Sequence, residues 1–281
     1  MTQPNYLYKV KSIMKKDGTF LKYNFKIKIG HLEIGGPKKV FIGGPCAIES
    51  EQQIRRVAEL LLRIEIPIMR GGAFKLRTSS DSFQGMGRDG LTLMVSICRE
   101  YGLKVISELT DPRDCDFFQK IGVDIIQIGT RNMLNYPLLK EVGKTRTPIL
   151  LKRGFMSTVR EMILASEYIL SGGNDQIIFC ERGIRTFESE TRNTLDLSCI
   201  PLVKKAVSAP IIVDLSHALG RTDIMLPMAK AALASGCDGL MVEVHPNPSD
   251  AKSDGKQSMS FPEFETIIND LKPFVRFIEE Q

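Results

Sequence analysis

The sequence predicts an α/β protein whose main domain is a (β/α)8 TIM barrel. Eight short apolar runs recur along the chain, amphipathic segments lie between them, and the length of 281 residues suits one barrel domain. Near-continuous apolar runs, rather than strict alternation, are typical of strands buried on both faces of a parallel sheet. Eight strand–helix units favour a closed barrel over an open, doubly wound sheet.

The eight predicted strands follow one another at regular intervals. They are VFIGG at 40–44, IPIMRGG at 66–72, LKVISEL at 103–109, DIIQIG at 124–129, PILLKRG at 148–154, QIIFCERG at 176–183, PIIVDLS at 210–216 and GLMVEVH at 239–245. Helical spacing of apolar residues predicts helices in segments such as 51–64, 89–102, 158–173 and 223–236. Glycines close several of these units, and we expect left-handed helix ends at Gly102, Gly122, Gly172 and Gly236.

Residues 1–39 fall outside this repeat. The stretch TFLKYNFKIKIG alternates in part between apolar and polar residues after a Lys-Asp-Gly turn signal at 16–18. We therefore expect a short N-terminal β extension over 1–39 and the barrel domain over 40–281. The extension is too short for a separate regulatory domain.

Composition excludes several classes of function. The net charge of +5 is small for this length, and the charges are interleaved along helical segments, which argues against nucleic-acid binding. No apolar run approaches the roughly 20 residues that a membrane span needs, and the N-terminus lacks the apolar core of a secretory signal. We expect a cytoplasmic protein that binds neither membranes nor nucleic acid.

Four polar residues close to apolar runs could form a metal site. One thiol, one imidazole and two carboxylates suit a single divalent transition metal such as Mn, Fe, Co or Zn better than calcium or magnesium. The four are Cys46, His217, Glu243 and Asp254. Taken alone, each has a plain structural explanation, such as a packed thiol or a turn residue. His31 and His245 compete with His217 for the metal, but His31 lies in the extension and His245 lies beyond Glu243.

Charged residues gather where the predicted strands end, which is where active sites lie on this fold. They are Arg70, Lys75, Arg77, Glu108, Asp111, Arg131, Lys152, Arg153, Arg182 and Arg185. A converging ring of cations repels itself unless anions compensate it. The pattern therefore predicts a small, polyanionic substrate.

Long motifs from residue 40 to about 272 resemble those of one enzyme family. They are GGPCAIES, RGGAFKLRTSSDSFQG, QIGTRNM, LLKRG, CERGIRTFESETRNTLDLS, VDLSHALGR, GLMVEVHPNP and AKSDGKQS. In this order they closely resemble the motifs of 3-deoxy-D-arabino-heptulosonate 7-phosphate (DAHP) synthase, type I, in the branch related to 3-deoxy-D-manno-octulosonate 8-phosphate synthase. The resemblance implies condensation of phosphoenolpyruvate with erythrose 4-phosphate, which is the first step of the shikimate pathway.

The resemblance also implies roles for individual residues. The metal ligands of the family carry over onto Cys46, His217, Glu243 and Asp254. Phosphoenolpyruvate would be held by Arg70, Lys75, Arg131, Lys152 and Arg182, and the phosphate of the aldose by Arg77 and Thr78. The catalytic candidates are Lys75, Glu108, Cys46 and His217. Either Glu108 or a metal-bound hydroxide could act as the base, and Lys75 could move a proton. Association into a homodimer or homotetramer is expected.

Two departures from the family pattern affect the expected aldose. The family usually reads KPRTSPYSFQG where this chain has KLRTSSDSFQG at 75–85, and VDPSH where it has VDLSH. Loss of proline frees the loop, and Asp81 could weaken phosphate binding. Two alternatives therefore stay open: a related synthase that uses another aldose phosphate such as arabinose 5-phosphate, and a non-catalytic phosphate-binding barrel.

Overall fold

A closed barrel of eight parallel strands forms the centre of the molecule, as the sequence predicts. The computed structural model describes residues 26–76, 79 and 81–280. The barrel strands are β3 (Val40–Gly44), β4 (Ile68–Arg70), β5 (Lys104–Glu108), β6 (Ile125–Ile128), β7 (Ile149–Lys152), β8 (Ile177–Glu181), β9 (Ile211–Asp214) and β10 (Gly239–Glu243). Neighbours along the chain pair in parallel, and β10 closes the barrel on β3. Each predicted apolar run contains one of these strands.

Helices surround the strands. They are α1 (Glu51–Arg63), α2 (Gly87–Glu100), α3 (Cys115–Ile121), α4 (Tyr136–Gly143), α5 (Val159–Ser171), α6 (Cys199–Val207), α7 (Leu215–Leu219), α8 (Met225–Ala234) and α9 (Phe261–Glu279). The side chain of Ser50 caps α1 by accepting from the amide of Gln53, and a capping box of Thr158 and Glu161 starts α5. No helix in the described ranges is long and apolar enough to cross a membrane.

One of the four glycine predictions is wrong. Gly102, Gly122 and Gly236 have φ of +70°, +79° and +92°, as expected, but Gly172 has helical angles with φ −78°. The next residue, Gly173, takes the left-handed conformation instead, with φ +100°. A Cβ on Gly172 would lie 2.4 Å from the carbonyl carbon of Gly143 in α4. Gly172 is therefore a glycine because two backbones approach closely there, which a single sequence does not distinguish from a helix end.

A two-stranded hairpin covers the N-terminal end of the barrel. Its antiparallel strands are β1 (Ile27–Ile29) and β2 (Leu32–Ile34). The buried side chains of Ile27, Ile29 and Ile34 join one apolar cluster with the residues inside the barrel. Residues 1–25 of the predicted extension lie outside the described residues, and the domain boundary at residue 39 stays a prediction.

Candidate active site and metal centre

A polar cavity of about 330 Å³ lies at the C-terminal ends of the strands. Its walls come from the strand ends and the loops that follow them. The polar and charged residues that line it are Arg70, Lys75, Ser79, Ser82, Glu108, Gln127, Thr130, Arg131, Lys152, Arg182, Arg192, His217 and Asp254. This is the end of the barrel at which the fold predicts an active site.

The four predicted metal ligands meet at one side of this cavity. One potential ligand atom from each of them lies within 4.8 Å of the other three. His217 Nε2 is 3.5 Å from Glu243 Oε1 and 3.8 Å from Asp254 Oδ2, and Cys46 Sγ is 3.3 Å from the same Asp254 oxygen. A thiol, an imidazole and two carboxylates in this arrangement fit a divalent transition metal. We call these four residues the ligand quartet.

Local structure places each member of the quartet. Glu243 is the last residue of β10, and its amide donates to Ser216 Oγ at 2.8 Å. Cys46 follows Gly44, whose φ of +144° turns the chain out of β3 beside the backbone of Arg70. Asp254 has left-handed angles with φ +55°, an uncommon conformation for a residue other than glycine. Strain of this kind is often kept where a side chain must point into a site.

Each member of the quartet also contacts a charged side chain of the barrel rim. Lys75 Nζ lies 3.0 Å from Cys46 Sγ, and Arg192 Nη1 lies 3.2 Å from Asp254 Oδ2. Arg70 forms a buried ion pair with Glu243, whose second oxygen accepts from Gln257 Nε2 at 2.6 Å. His217 Nδ1 contacts Asp214 Oδ2 at 2.9 Å. The quartet is thus held by hydrogen bonds and ion pairs before any metal is considered.

The protonation states suit metal binding at three of the four positions. Burial lowers the pKa of His217, which favours the neutral imidazole that binds metals. Burial opposes ionisation of Glu243 and Asp254, but charged neighbours, chiefly His217 and Arg70 for Glu243 and Arg192 for Asp254, hold both pKa values below the usual range. Burial, with the nearby Glu243 carboxylate, raises the pKa of Cys46 to about 11. Its thiol must therefore lose a proton when a metal binds.

Cations converge on the other side of the cavity. The guanidinium carbons of Arg131, Arg182 and Arg185 lie 5.5, 5.0 and 4.4 Å from the centre of the Phe155 ring. Burial lowers the pKa of Arg182 to about 10, so it stays charged at neutral pH. Lys152 is buried at the end of β7 and forms an ion pair with Asp214. This cationic side can compensate a phosphate and a carboxylate.

Other residues singled out from the sequence have different positions. Arg153 is buried and pairs with Glu181 at 2.8 Å and Asp196 at 2.7 Å, so its charge is balanced within the protein and it does not line the cavity. Asp111 pairs with its neighbour Arg113 in the loop after β5. Arg77 and Thr78 lie outside the described residues. His245 lies apart from the quartet, with Nε2 at 3.5 Å from Glu49 Oε2.

Sequence reasoning missed four residues that shape the site: Asp214, Phe155, Arg192 and Gln257. Asp214 ends β9 next to the quartet residue His217, and its position at a strand end was a usable signal. Phe155 and Arg192 lie in loops and Gln257 ends a short 3-10 helix, so no strand end marks any of the three. Their role depends on how loops from different strands meet, which a pattern in one sequence does not reveal.

Comparison with known proteins agrees with this geometry. Residues 21–276 match the DAHP synthetase I family. The chain is 45% identical over 246 residues to the phospho-2-dehydro-3-deoxyheptonate aldolase of Thermotoga maritima, which covers 88% of this chain and 72% of that protein. It is 30% identical to the 2-dehydro-3-deoxyphosphooctonate aldolase of Francisella tularensis subsp. holarctica, over 91% of this chain and 98% of that protein. The crystal structure of the Thermotoga maritima enzyme (DAHP synthase) superposes with a TM-score of 0.88 at 42% identity, covering 91% of this chain and 75% of that one.

Proposed function

This chain belongs to the DAHP synthetase I family, and from that premise we propose how its cavity carries out the reaction of a DAHP synthase. The enzyme condenses phosphoenolpyruvate with erythrose 4-phosphate to give DAHP and inorganic phosphate, the first step of the shikimate pathway. The observation that carries the proposal is the cavity itself, in which a ligand quartet faces a group of cations. The cations suit a substrate that carries a phosphate and a carboxylate. A metal held by the quartet suits an aldol-like condensation.

Phosphoenolpyruvate is assigned to the cationic side. Arg131, Lys152 and Arg182 line the cavity there, while Arg70 and Lys75 line it in contact with the quartet. Preorganised cations stabilise the phosphate-bearing intermediate and the departing phosphate, because their positions are fixed before the reaction begins. The contacts with Phe155 contribute to this by fixing two of the guanidinium groups.

The aldose is assigned to the side of the quartet. The family is metal-dependent, and in this chain Cys46, His217, Glu243 and Asp254 would hold one divalent ion, with Mn, Fe, Co and Zn all compatible with the donor set. When bound, the ion supplies Lewis acidity to the aldehyde oxygen of the acceptor. Arg77 and Thr78 are assigned to the phosphate of the aldose.

Two residues are proposed to handle protons. Lys75 Nζ lies 3.0 Å from both the thiol and the carbonyl oxygen of Cys46, so it can donate toward an oxygen that forms beside the quartet. Glu108 lines the same cavity and accepts a hydrogen bond from Gln127 Nε2 at 3.1 Å. Its second oxygen can accept a proton from a water that attacks the substrate.

Homo-oligomer formation and a cytoplasmic location stay predictions.

One assay tests both halves of the proposal. Consumption of phosphoenolpyruvate and release of phosphate are measured with erythrose 4-phosphate, arabinose 5-phosphate and ribose 5-phosphate, with and without a chelator. We expect the highest kcat/KM with erythrose 4-phosphate, loss of activity with the chelator, and recovery when Mn²⁺ is added back. A preference for arabinose 5-phosphate would overturn the aldose assignment. Full activity after complete metal removal would overturn the role of the quartet.

A further inference from the structure

Asp214 joins the two halves of the site. It is the last residue of β9 and is 1% exposed. Its Oδ2 atom contacts both Lys152 Nζ and His217 Nδ1, the latter at 2.9 Å. One carboxylate oxygen is therefore shared between a cation of the phosphoenolpyruvate side and a member of the ligand quartet.

The contact with His217 fixes the ring. Asp214 Oδ1 accepts the backbone amide of His217 at 3.1 Å and begins α7, while Oδ2 faces Nδ1. An ionised carboxylate accepts a hydrogen bond from a protonated Nδ1, which leaves Nε2 unprotonated and its lone pair free for a metal held with the other three members of the quartet. A carboxylate in this position orients a metal-binding imidazole and makes it a stronger ligand.

The contact with Lys152 balances a buried charge. The Lys152 side chain is 4% exposed, and among the described residues the carboxylate within 4 Å of its ammonium group is that of Asp214. An anion that binds to Lys152 must draw part of this ammonium charge away from Asp214. The carboxylate is then less neutralised and accepts a stronger hydrogen bond from His217.

We propose that Asp214 is a positioning residue that couples metal binding to phosphoenolpyruvate binding, so that each ligand raises the affinity for the other. The inference rests on the proposed function, because it assumes that the quartet binds the metal and that Lys152 binds phosphoenolpyruvate. In the reverse direction, a metal on His217 strengthens the contact between His217 and Asp214, which frees Lys152 for the anion. Reciprocity of this kind is required of any two coupled binding sites.

Binding measurements on the purified full chain test the coupling. Calorimetry gives the dissociation constant for Mn²⁺ with and without phosphoenolpyruvate, in the absence of any aldose. We expect Asp214→Asn to weaken Mn²⁺ binding by roughly 10- to 100-fold, the usual effect of losing such a carboxylate. We also expect the gain in Mn²⁺ affinity that phosphoenolpyruvate gives to the wild type to fall at least about fivefold in the variant, within the usual range of coupling between sites.

The same substitution at the other end of the barrel provides the control. Asp238 is a buried carboxylate that pairs with Lys204 at 2.7 Å and accepts the amide of Ile211 at 2.8 Å, so it resembles Asp214 in burial and bonding. Asp238→Asn should reduce stability and leave both affinities within about twofold, since it contacts neither half of the site. An equal loss of Mn²⁺ affinity in both variants would mean a general structural effect and would overturn the inference.

Removing Lys152 could raise the Mn²⁺ affinity through the oxygen of Asp214 that Lys152 shares with His217, or simply by removing a nearby positive charge. A double-mutant cycle distinguishes these two effects. Lys152→Met should tighten Mn²⁺ binding in the absence of phosphoenolpyruvate, and this gain should shrink in the Asp214→Asn background. Equal gains in both backgrounds would overturn the role of Asp214. If Asp214→Asn does not fold, Lys152→Met is compared with Arg131→Met, which removes a cavity cation that lacks this contact; equal gains again overturn the inference. A wild type that binds neither Mn²⁺ nor phosphoenolpyruvate overturns the proposed function itself.

Discussion

The N-terminal end of the barrel presents apolar side chains to its interior, whereas the C-terminal end presents buried charges. Strand residues whose side chains join the hairpin in the apolar cluster inside the barrel include Val40, Ile68, Ile125, Leu150, Ile178 and Ile212. Five barrel strands end in a charged residue that is buried, namely Arg70, Lys152, Glu181, Asp214 and Glu243. The barrel is thus filled by apolar side chains at the end near the hairpin and by buried ion pairs at the C-terminal ends of the strands.

The difference shows how the molecule separates stability from function. At the N-terminal end, the hairpin residues Ile27, Ile29 and Ile34 bury apolar surface, which stabilises the fold directly. At the C-terminal end, ion pairs such as Arg70–Glu243 and Lys152–Asp214 are costly to desolvate and add little net stability compared with apolar packing. Those charges that line the cavity are explained by the ligands that they bind.

The largest expected effect comes from the thiol of the quartet. Cys46→Ala should lower kcat/KM by about a thousandfold, or ~4 kcal/mol of transition-state stabilisation, because it removes a metal ligand. The free energy of unfolding of the metal-free protein should change by less than about 1 kcal/mol, since the thiol fills little space. Steady-state kinetics measure kcat/KM, Mn²⁺ titration measures the metal affinity, and urea denaturation measures the free energy of unfolding.

Cys98→Ala is the matched control for this substitution. Cys98 is also fully buried, but its sulfur contacts Met69 Sδ at 3.7 Å between α2 and β4, away from the cavity. We expect it to cost about 1 kcal/mol of stability with unchanged activity. If Cys46→Ala kept more than a tenth of both the activity and the Mn²⁺ affinity, the quartet would not be the metal site.

A smaller effect, on stability and not on activity, is expected at the hairpin. Ile34 is fully buried in the cluster that closes the barrel, so Ile34→Ala should lower the free energy of unfolding by about 2–4 kcal/mol. Its kcat/KM at 25 °C should stay within about twofold of the wild type while the protein is folded. Leu32→Ala, on the same strand but only half-buried, should cost less. A fall in kcat without a fall in stability would show that the two ends are not independent.

The sequence predicted the barrel well because its signal is local and repeated. Each strand is an apolar run that its own residues define, and N-caps such as Ser50 and Thr158 fix where α1 and α5 begin. The rim cations and the quartet could also be predicted from the sequence, because most of them follow strand ends. What stayed hidden was pairing: nothing in the sequence shows that Lys152 and His217 share Asp214.

Gly172 and Arg153 also show that long-range contacts are not visible in the sequence. Each matched a local pattern, a glycine after a helix and a cation at a strand end, but a long-range contact decided its role. For Gly172 that contact is the backbone of Gly143, and for Arg153 it is a pair of carboxylates. Patterns predict where an element lies, whereas its partners depend on how distant segments meet.

The smallest expected effect concerns Asp81, an exposed acid in the loop that carries the proposed aldose-phosphate residues Arg77 and Thr78. Its negative charge should repel the phosphate weakly, so Asp81→Asn should lower the KM for erythrose 4-phosphate about two- to threefold at low ionic strength, in the range of exposed charge interactions. The effect should fade as salt is added, because screening shortens the reach of an exposed charge to about 10 Å at 0.1 M. Asp175 is an exposed acid just before β8, at the opposite end of the barrel, and serves as the control. Asp175→Asn should leave the KM for erythrose 4-phosphate unchanged. A higher KM in Asp81→Asn would instead mean that Asp81 accepts a hydrogen bond from an aldose hydroxyl, which would make this loop a determinant of sugar specificity rather than a source of repulsion.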